Sequence, residues 1–352
     1  MFIVLSSYPS PLSRLWNGLR SGLRPAHRHA ATFERVLGTT LDLQVVSGSP
    51  AQGLLAQQAL LAEIDRLELI FSRFLPDSEL NRWLTGSRQP TAVSPDLGLV
   101  LQQALDWTAL SGGAFHPATE ALSPLWKEAE ASGAPPDVSA VLEQMRRPLY
   151  TVREAGGHWI ASRLTDLPLG FNAFAKGYIA DRAAAAAAAV PGVTQVLVNI
   201  GGDLQVLGPQ GVQVDIADPF TLADNAAPIT SVWVQGQGVA TSGRARRGFL
   251  VGGQWHSHLL DPRSGQPAGG VVSATVIAPD SATADVLATI FSILDPPASL
   301  QLCLQLSVNR PGVACLLVTE GGQVHTSAHW NQHTFTPPSS LSTPTEVHHD
   351  QA

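Results

Sequence analysis

Val271-Val272-Ser273-Ala274-Thr275-Val276-Ile277-Ala278 is the stretch on which the fold turns, and its wealth of β-branched residues marks a strand. Before it, His258-Leu259-Leu260-Asp261-Pro262-Arg263-Ser264-Gly265 should end in a Pro/Gly turn. After it, Ala284-Asp285-Val286-Leu287-Ala288-Thr289 should open a helix. The two flanks then meet near one end of a single βα unit, where they look like a general base beside a magnesium site.

The same pattern extends towards the N-terminus. Leu41-Asp42-Leu43-Gln44-Val45 alternates like a half-buried strand, and Ser49-Pro50 supplies an N-cap and a first-turn proline for a helix striped with Leu54, Leu60, Leu61, Ile64, Leu67 and Phe71. Ser94-Pro95 opens a second helix, stopped by Gly112-Gly113, with a polar turn at Asp77-Ser78-Glu79-Leu80-Asn81 between the two. A third helix is expected over residues 176–190, its alanines 183–189 making it thin enough to pack closely on a neighbour. Further strands follow at residues 196–200, 212–216, 232–234 and 314–318. Strands and helices in this irregular order predict an α+β fold with mixed or antiparallel sheets and flanking helices, not a doubly wound sheet. No Gly-x-Gly-x-x-Gly or Walker-type loop follows a strand, so neither common nucleotide motif is supported.

With 352 residues, 44% of them apolar, the chain can bury a full core and is expected to be soluble and globular. A net charge of -7 without a basic stripe in the body argues against nucleic acid as a partner. No stretch nears the ~20 apolar residues of a spanning helix, so an integral membrane protein is not expected. Residues 1–33 form a basic leader, with Arg14, Arg20, Arg24 and Arg28 and with Leu12, Leu15, Trp16, Leu19 and Leu23 at helical spacing; both a membrane-surface segment and a flexible one fit. It has neither a long apolar core nor a cysteine, so no signal peptide or lipobox is read and the compartment stays open. Residues 34–333 form the expected folded domain, and the Pro/Ser/Thr-rich tail 334–352 is expected to be disordered. Cys303 and Cys315, both in apolar surroundings, suit buried thiols, with a disulfide between them also open.

Asp285 and Thr289, four apart on one helix, share a face with Ser292, opposite Leu287, Ile290, Phe291 and Leu294. By spacing alone this polar stripe fits a solvated face as well as a hard-cation site, because one carboxylate and one hydroxyl are oxygen ligands magnesium accepts alongside phosphates. His256 and His258, two apart, would point to the same side of a strand and so also permit a zinc pair. Asn199-Ile200-Gly201-Gly202-Asp203, Ala240-Thr241-Ser242-Gly243 and Ser111-Gly112-Gly113-Ala114-Phe115-His116-Pro117 each offer small residues, as a tight turn or as a close approach for a ligand.

Taken in order, these segments resemble the ApbE family of FAD:protein FMN transferases. The resemblance rests on Leu37-Gly38-Thr39-Thr40, Asp77-Ser78-Glu79-Leu80, Gly112 to Pro117, Ala175-Lys176-Gly177-Tyr178-Ile179-Ala180-Asp181, Asn199 to Asp203, Ala240 to Gly243, His258 to Gly265 and Ala284 to Thr289. It implies a T-fold-like architecture and an Mg2+-dependent transfer of FMN from FAD to a threonine or serine hydroxyl of an acceptor protein, a redox subunit, with release of AMP. The alternatives within the family are an FAD pyrophosphatase and a flavin-binding protein without turnover. By position, it also implies a metal held by Asp285, Thr289 and the main-chain carbonyl of Ala173. Leu37, Phe74, Ala114, Phe115, His116, Gly170, Lys176 and Leu259 would line the FAD site, and His258 would assist the attacking hydroxyl. Three positions depart from the family pattern. Gly170 and His116 stand where aspartates are usual, and Leu37 where methionine is usual.

Overall fold

The computed structural model describes residues 26–221, 227–244 and 248–334. The amphipathic segment expected near residues 12–23 and nearly all of the expected tail lie outside them. The leader expected over residues 1–33 is shortened from its C-terminal side, because a strand begins at His27.

In chain order, the hairpin β1 (His27–Val36) and β2 (Thr39–Ser47) leads into α1 (Pro50–Phe71), α2 (Glu79–Thr85), β3 (Thr91–Val93) and α3 (Pro95–Leu110). A 3-10 turn (Pro117–Ala121), α4 (Ser123–Ser132), α5 (Ser139–Met145), β4 (Tyr150–Ala155) and β5 (His158–Arg163) follow. Then come α6 (Ala175–Ala188), β6 (Val193–Ile200), β7 (Asp203–Leu207), β8 (Val212–Ile216), β9 (Thr230–Val234) and β10 (Gly238–Gly243). The chain continues through β11 (Gly248–Val251), β12 (Gln254–Ser257), β13 (Val271–Ala278), α7 (Ser281–Ile293), α8 (Pro296–Asn309), β14 (Ala314–Thr319) and β15 (Val324–Thr326).

Eight strands form the main sheet in the order β1-β2-β6-β7-β10-β13-β14-β15. Every pairing among them is antiparallel, which narrows the expected mixed-or-antiparallel choice within an α+β fold. Helices α1, α6 and α7 pack on the sheet from one side. The period of two along each strand divides its side chains between two cores. Val196, Val198 and Ile200 of β6, with Ala274, Val276 and Ala278 of β13, enter the helix-side core. Leu197 of β6, Ile277 of β13 and Leu316 of β14 enter the second core, with Val214, Val232 and Trp330. β13 thus reads as a nearly continuous apolar run because both of its faces are covered.

Both serine-proline starts are N-caps, Ser49 accepting from the Gln52 N–H and Ser94 from the Leu97 N–H. The polar run at residues 77–81 is not a free turn. Ser78 caps α2 by accepting from the Asn81 N–H. In α6 the alanine run does what its thinness suggests: Ala183, Ala184 and Ala187 are fully buried, and the helix lies against α1. Cys303 and Cys315 are buried free thiols, so the open disulfide is not formed. Among the described residues, no helix is long and apolar enough to cross a membrane.

Candidate active site

The site is built where α6 and α7 begin side by side. Gly177, in the first turn of α6, has no room for a side chain, since a Cβ there would overlap the Ser281 carbonyl at the start of α7. That contact lets the Gly177 N–H donate to Asp285 Oδ2 at 3.3 Å, so a carboxylate of α7 meets the positive end of α6. Gly177→Ala is therefore expected to destabilise the fold by about 1–3 kcal/mol through overpacking, read as a lower urea midpoint; an unchanged midpoint would contradict this packing.

Lys176 pairs with Asp203, and its Nζ lies 3.9 Å from Asp285 Oδ2. Asp203 is delivered by the hairpin between β6 and β7, in which Ile200 and Asp203 face each other across Gly201 and Gly202. Those glycines have φ of 61° and 104°, in the region that favours glycine, and Asn199 Oδ1 accepts from the Gly202 N–H at 3.0 Å. The glycine pair is thus both a tight turn and the device that presents a carboxylate to Lys176.

Carboxylates outnumber ammonium groups here. Burial raises the pKa of Asp285, nearby Asp203 raises it further, and Lys176 opposes both. Asp181 of α6 accepts from the Ser281 N–H at 2.7 Å and the Ala282 N–H at 2.9 Å, joining the start of α7 to α6. Burial first, with Asp280 and Asp203 adding and those two N–H groups opposing, pushes Asp181 up to about 7 from 3.8. The folded chain therefore binds this proton more tightly than the unfolded chain does. The resulting stabilisation is complete below the unfolded value and is lost as pH rises through about 7. Replacing Asp181 by Asn should flatten the fall in urea midpoint between roughly pH 5 and pH 8. A slope equal to that of the wild type would count against it.

Thr289 lies one turn beyond Asp285 on α7 and is half-buried, and Ala173 lies three residues before Lys176. The expected polar stripe is not a solvated face, since Asp285 and Ser292 are buried along with Leu287, Ile290 and Phe291. Ala114 and Phe115 are also buried, and the Phe115 ring packs edge-on against Phe174, just before α6, at 5.8 Å between centroids. Leu37 sits in the β1–β2 turn with φ 50°, and β2 is tied to the hairpin that carries Asp203 by the Gly201 N–H bond to the Thr40 carbonyl. Phe74 is 93% exposed and touches none of these groups closely enough to be buried by them.

His116 caps the 3-10 turn, its Nδ1 accepting from the Ala118 N–H at 3.2 Å, and burial holds its pKa below the usual histidine value. A neutral imidazole thus does locally what a capping carboxylate would do. His258 and Leu259 lie in the loop after β12, which ends at Ser257, so His256 and His258 do not share a strand as the zinc reading required. The His256 ring instead lies 5.3 Å from that of Trp126. The loop is fixed to its surroundings by the Ala268 N–H bond to the Leu259 carbonyl, at 2.7 Å, and by Trp126 Nε1 donating to the Gly265 carbonyl, at 2.9 Å. Its Arg263 packs beside Gly113, next to Ala114.

The residues present suit a hard cation. Asp285, Thr289 and the Ala173 carbonyl are all oxygen donors, and the surplus of carboxylates over Lys176 is the charge imbalance that a divalent cation relieves. Among the described residues no three His, Cys, Asp or Glu side chains are grouped so as to hold a metal ion. Asp203 as the partner of Lys176, and Asp181 as the clamp between helices, had no assigned role in the sequence. A Gly-Gly-Asp run closing a hairpin was the available signal for the first; no local pattern marked the second.

A family model described as the ApbE family matches residues 37–317. The chain is 29% identical over 320 residues to the FAD:protein FMN transferase of Rhodobacter capsulatus, covering 88% of this chain and 59% of that protein. It is 29% identical over 329 residues to the FAD:protein FMN transferase of Treponema pallidum, covering 87% and 89%. Among solved structures, the ApbE protein of Thermotoga maritima superposes with a TM-score of 0.73 at 23% identity, over 88% of this chain and 100% of that one. The apo form of the Pseudomonas stutzeri flavinyl transferase ApbE gives 0.69 at 24%, over 87% and 96%. At such identities the superpositions speak to the fold alone.

Proposed function

From the premise that the chain belongs to the ApbE family, we propose that it is an FAD:protein FMN transferase, which moves FMN from FAD to a serine or threonine hydroxyl of an acceptor protein and releases AMP. The observation that carries the reading is the cluster of Lys176, Asp203 and Asp285 at the adjoining starts of α6 and α7. A lysine at a helix N-terminus is a ready binding point for phosphate oxygens, and the paired carboxylates favour a cation next to it.

The chemistry asks little covalent help from the protein, because phosphoryl transfer depends chiefly on placement and charge neutralisation. Lys176 would hold the pyrophosphate at the start of α6, exchanging part of its pairing with Asp203 for phosphate oxygens. His258 would take the proton of the acceptor hydroxyl as its oxygen attacks the phosphorus on the FMN side. The bond from that phosphorus to the bridging oxygen breaks, and the bridging oxygen leaves on AMP. Asp285, Thr289 and the Ala173 carbonyl would hold Mg2+, which when bound neutralises charge on the phosphates. The main chain at Leu259 and the 112–117 loop would line the nucleotide, with Leu37 and Phe74 on the flavin side. A redox subunit is the acceptor this reading implies.

The test is AMP release from FAD by the purified protein, with Mg2+ or with excess chelator, in the presence of an acceptor protein. AMP and protein-bound flavin fluorescence should appear together, and only with Mg2+. FAD left intact under every condition would overturn the reading, whereas AMP and free FMN without labelled acceptor would turn it into a pyrophosphatase.

A further inference from the structure

We infer that Glu120 is a nucleotide-binding residue, supplying from the 3-10 turn the carboxylate that position 170 lacks; this rests on the proposed function and deepens it. Gly170 is buried, and a Cβ built on it would overlap the Glu120 carboxylate, so the side chain of Glu120 occupies the space that any side chain at 170 would enter. The two segments are held in that relation by the Gly170 N–H donating to the Pro117 carbonyl at 2.8 Å.

Two further contacts and its place in the chain set the carboxylate among the segments expected to line FAD. Asn172 Nδ2 donates to Glu120 Oε1 at 3.3 Å, one residue before the Ala173 carbonyl and four before Lys176. Arg73, next to Phe74, pairs with Glu120. The 3-10 turn itself follows directly on Phe115 and His116. Glu120 keeps 32% of its side chain exposed and Arg73 keeps 26%, so the pair is neither a core ion pair nor a freely solvated one. Such partly exposed pairs contribute little to folding. A carboxylate with an open side is instead suited to accept from N–H or O–H donors of a bound nucleotide, and unsuited to its phosphates. The donors FAD offers are the flavin ring N–H, the adenine amine and the hydroxyls of the ribityl chain and ribose. Arg73 would hold the carboxylate in its orientation while leaving it an unused lone pair.

The experiment measures FAD binding without turnover, by quenching of flavin fluorescence in the absence of acceptor, for wild type, Glu120→Ala, Glu120→Gln, Gly170→Asp and the double variant Glu120→Gly with Gly170→Asp. Both Glu120 single variants should weaken FAD about tenfold or more, as loss of a hydrogen bond to a charged group does. Gly170→Asp alone should also weaken it, because its side chain and Glu120 compete for one space. The double variant, which moves the carboxylate from one segment to the other, should recover to within about threefold of wild type. Titrations with FMN and with AMP then assign the donor, since only the half that meets Glu120 should lose affinity. Glu120 variants that bind FAD as tightly as wild type, or a double variant no better than Gly170→Asp, would overturn the inference while leaving the proposed function standing. Wild type that fails to bind FAD would overturn both.

Discussion

Asp285→Asn is expected to reduce AMP release and flavin transfer by about 10²–10³-fold or more, the scale lost when one preorganised electrostatic contact to a reacting phosphate is removed. Asparagine keeps an oxygen to accept from the Gly177 N–H but removes the charge. Folding should survive, because burial and Asp203 make the ionised carboxylate costly in the metal-free protein. Stability at neutral pH should accordingly be equal to that of wild type or higher. Added Mg2+ should raise the thermal midpoint of the wild type and leave that of the variant unchanged, since a ligand stabilises only the state that binds it. Activity near the wild-type level in a folded Asp285→Asn protein would remove the metal site from the account.

His258→Ala is expected to slow transfer to the acceptor by about 10²–10⁴-fold, the usual contribution of a positioned general base. FAD affinity should stay within about threefold of wild type, because a base that acts only on the attacking hydroxyl adds nothing to ground-state binding of FAD, and the Ala268 N–H bond to the Leu259 carbonyl is present in both proteins. The pH dependence is the sharper readout. If His258 takes the hydroxyl proton, the acidic limb of the rate profile that reports a neutral imidazole should vanish in the variant. A variant with the same limb and a uniformly lower rate would make His258 a structural residue of the loop after β12.

Much of the fold is legible where a periodicity has one cause. Val271 to Ala278 reads as a strand because its neighbours cover both faces, and Ser49-Pro50 and Ser94-Pro95 read as helix starts because the capping hydroxyl and the proline act locally. What escapes is set by partners distant in sequence. The strand β1 reads as part of a basic leader because its burial alternates only between half-buried and exposed residues, as on an edge strand. The strands β3 to β5 and β11 to β12 bury at most one residue each, so no apolar alternation emerges from them.

The site divides in the same way. Asp285 and Thr289 are spaced for one helix face, but spacing could not say that this face is buried against α6 rather than solvated. Asp203 and Glu120 were less legible still. Each acts on a segment 27 or more residues away, Asp203 on Lys176 and Glu120 on Asn172, so nothing in their own neighbourhoods reports the pairing. His116 looked like the loss of an acidic group, whereas its ring nitrogen retains the one local function that can be seen, acceptance of the Ala118 N–H.

The most direct test is the intact mass of an acceptor protein already known to be flavinylated by a relative, incubated with this chain, FAD and Mg2+, with wild type and Asp285→Asn side by side. Wild type alone should give an acceptor heavier by one FMN less one water, matched by one AMP released. An acceptor of unchanged mass beside intact FAD, or equal labelling by the Asp285→Asn protein, would contradict it.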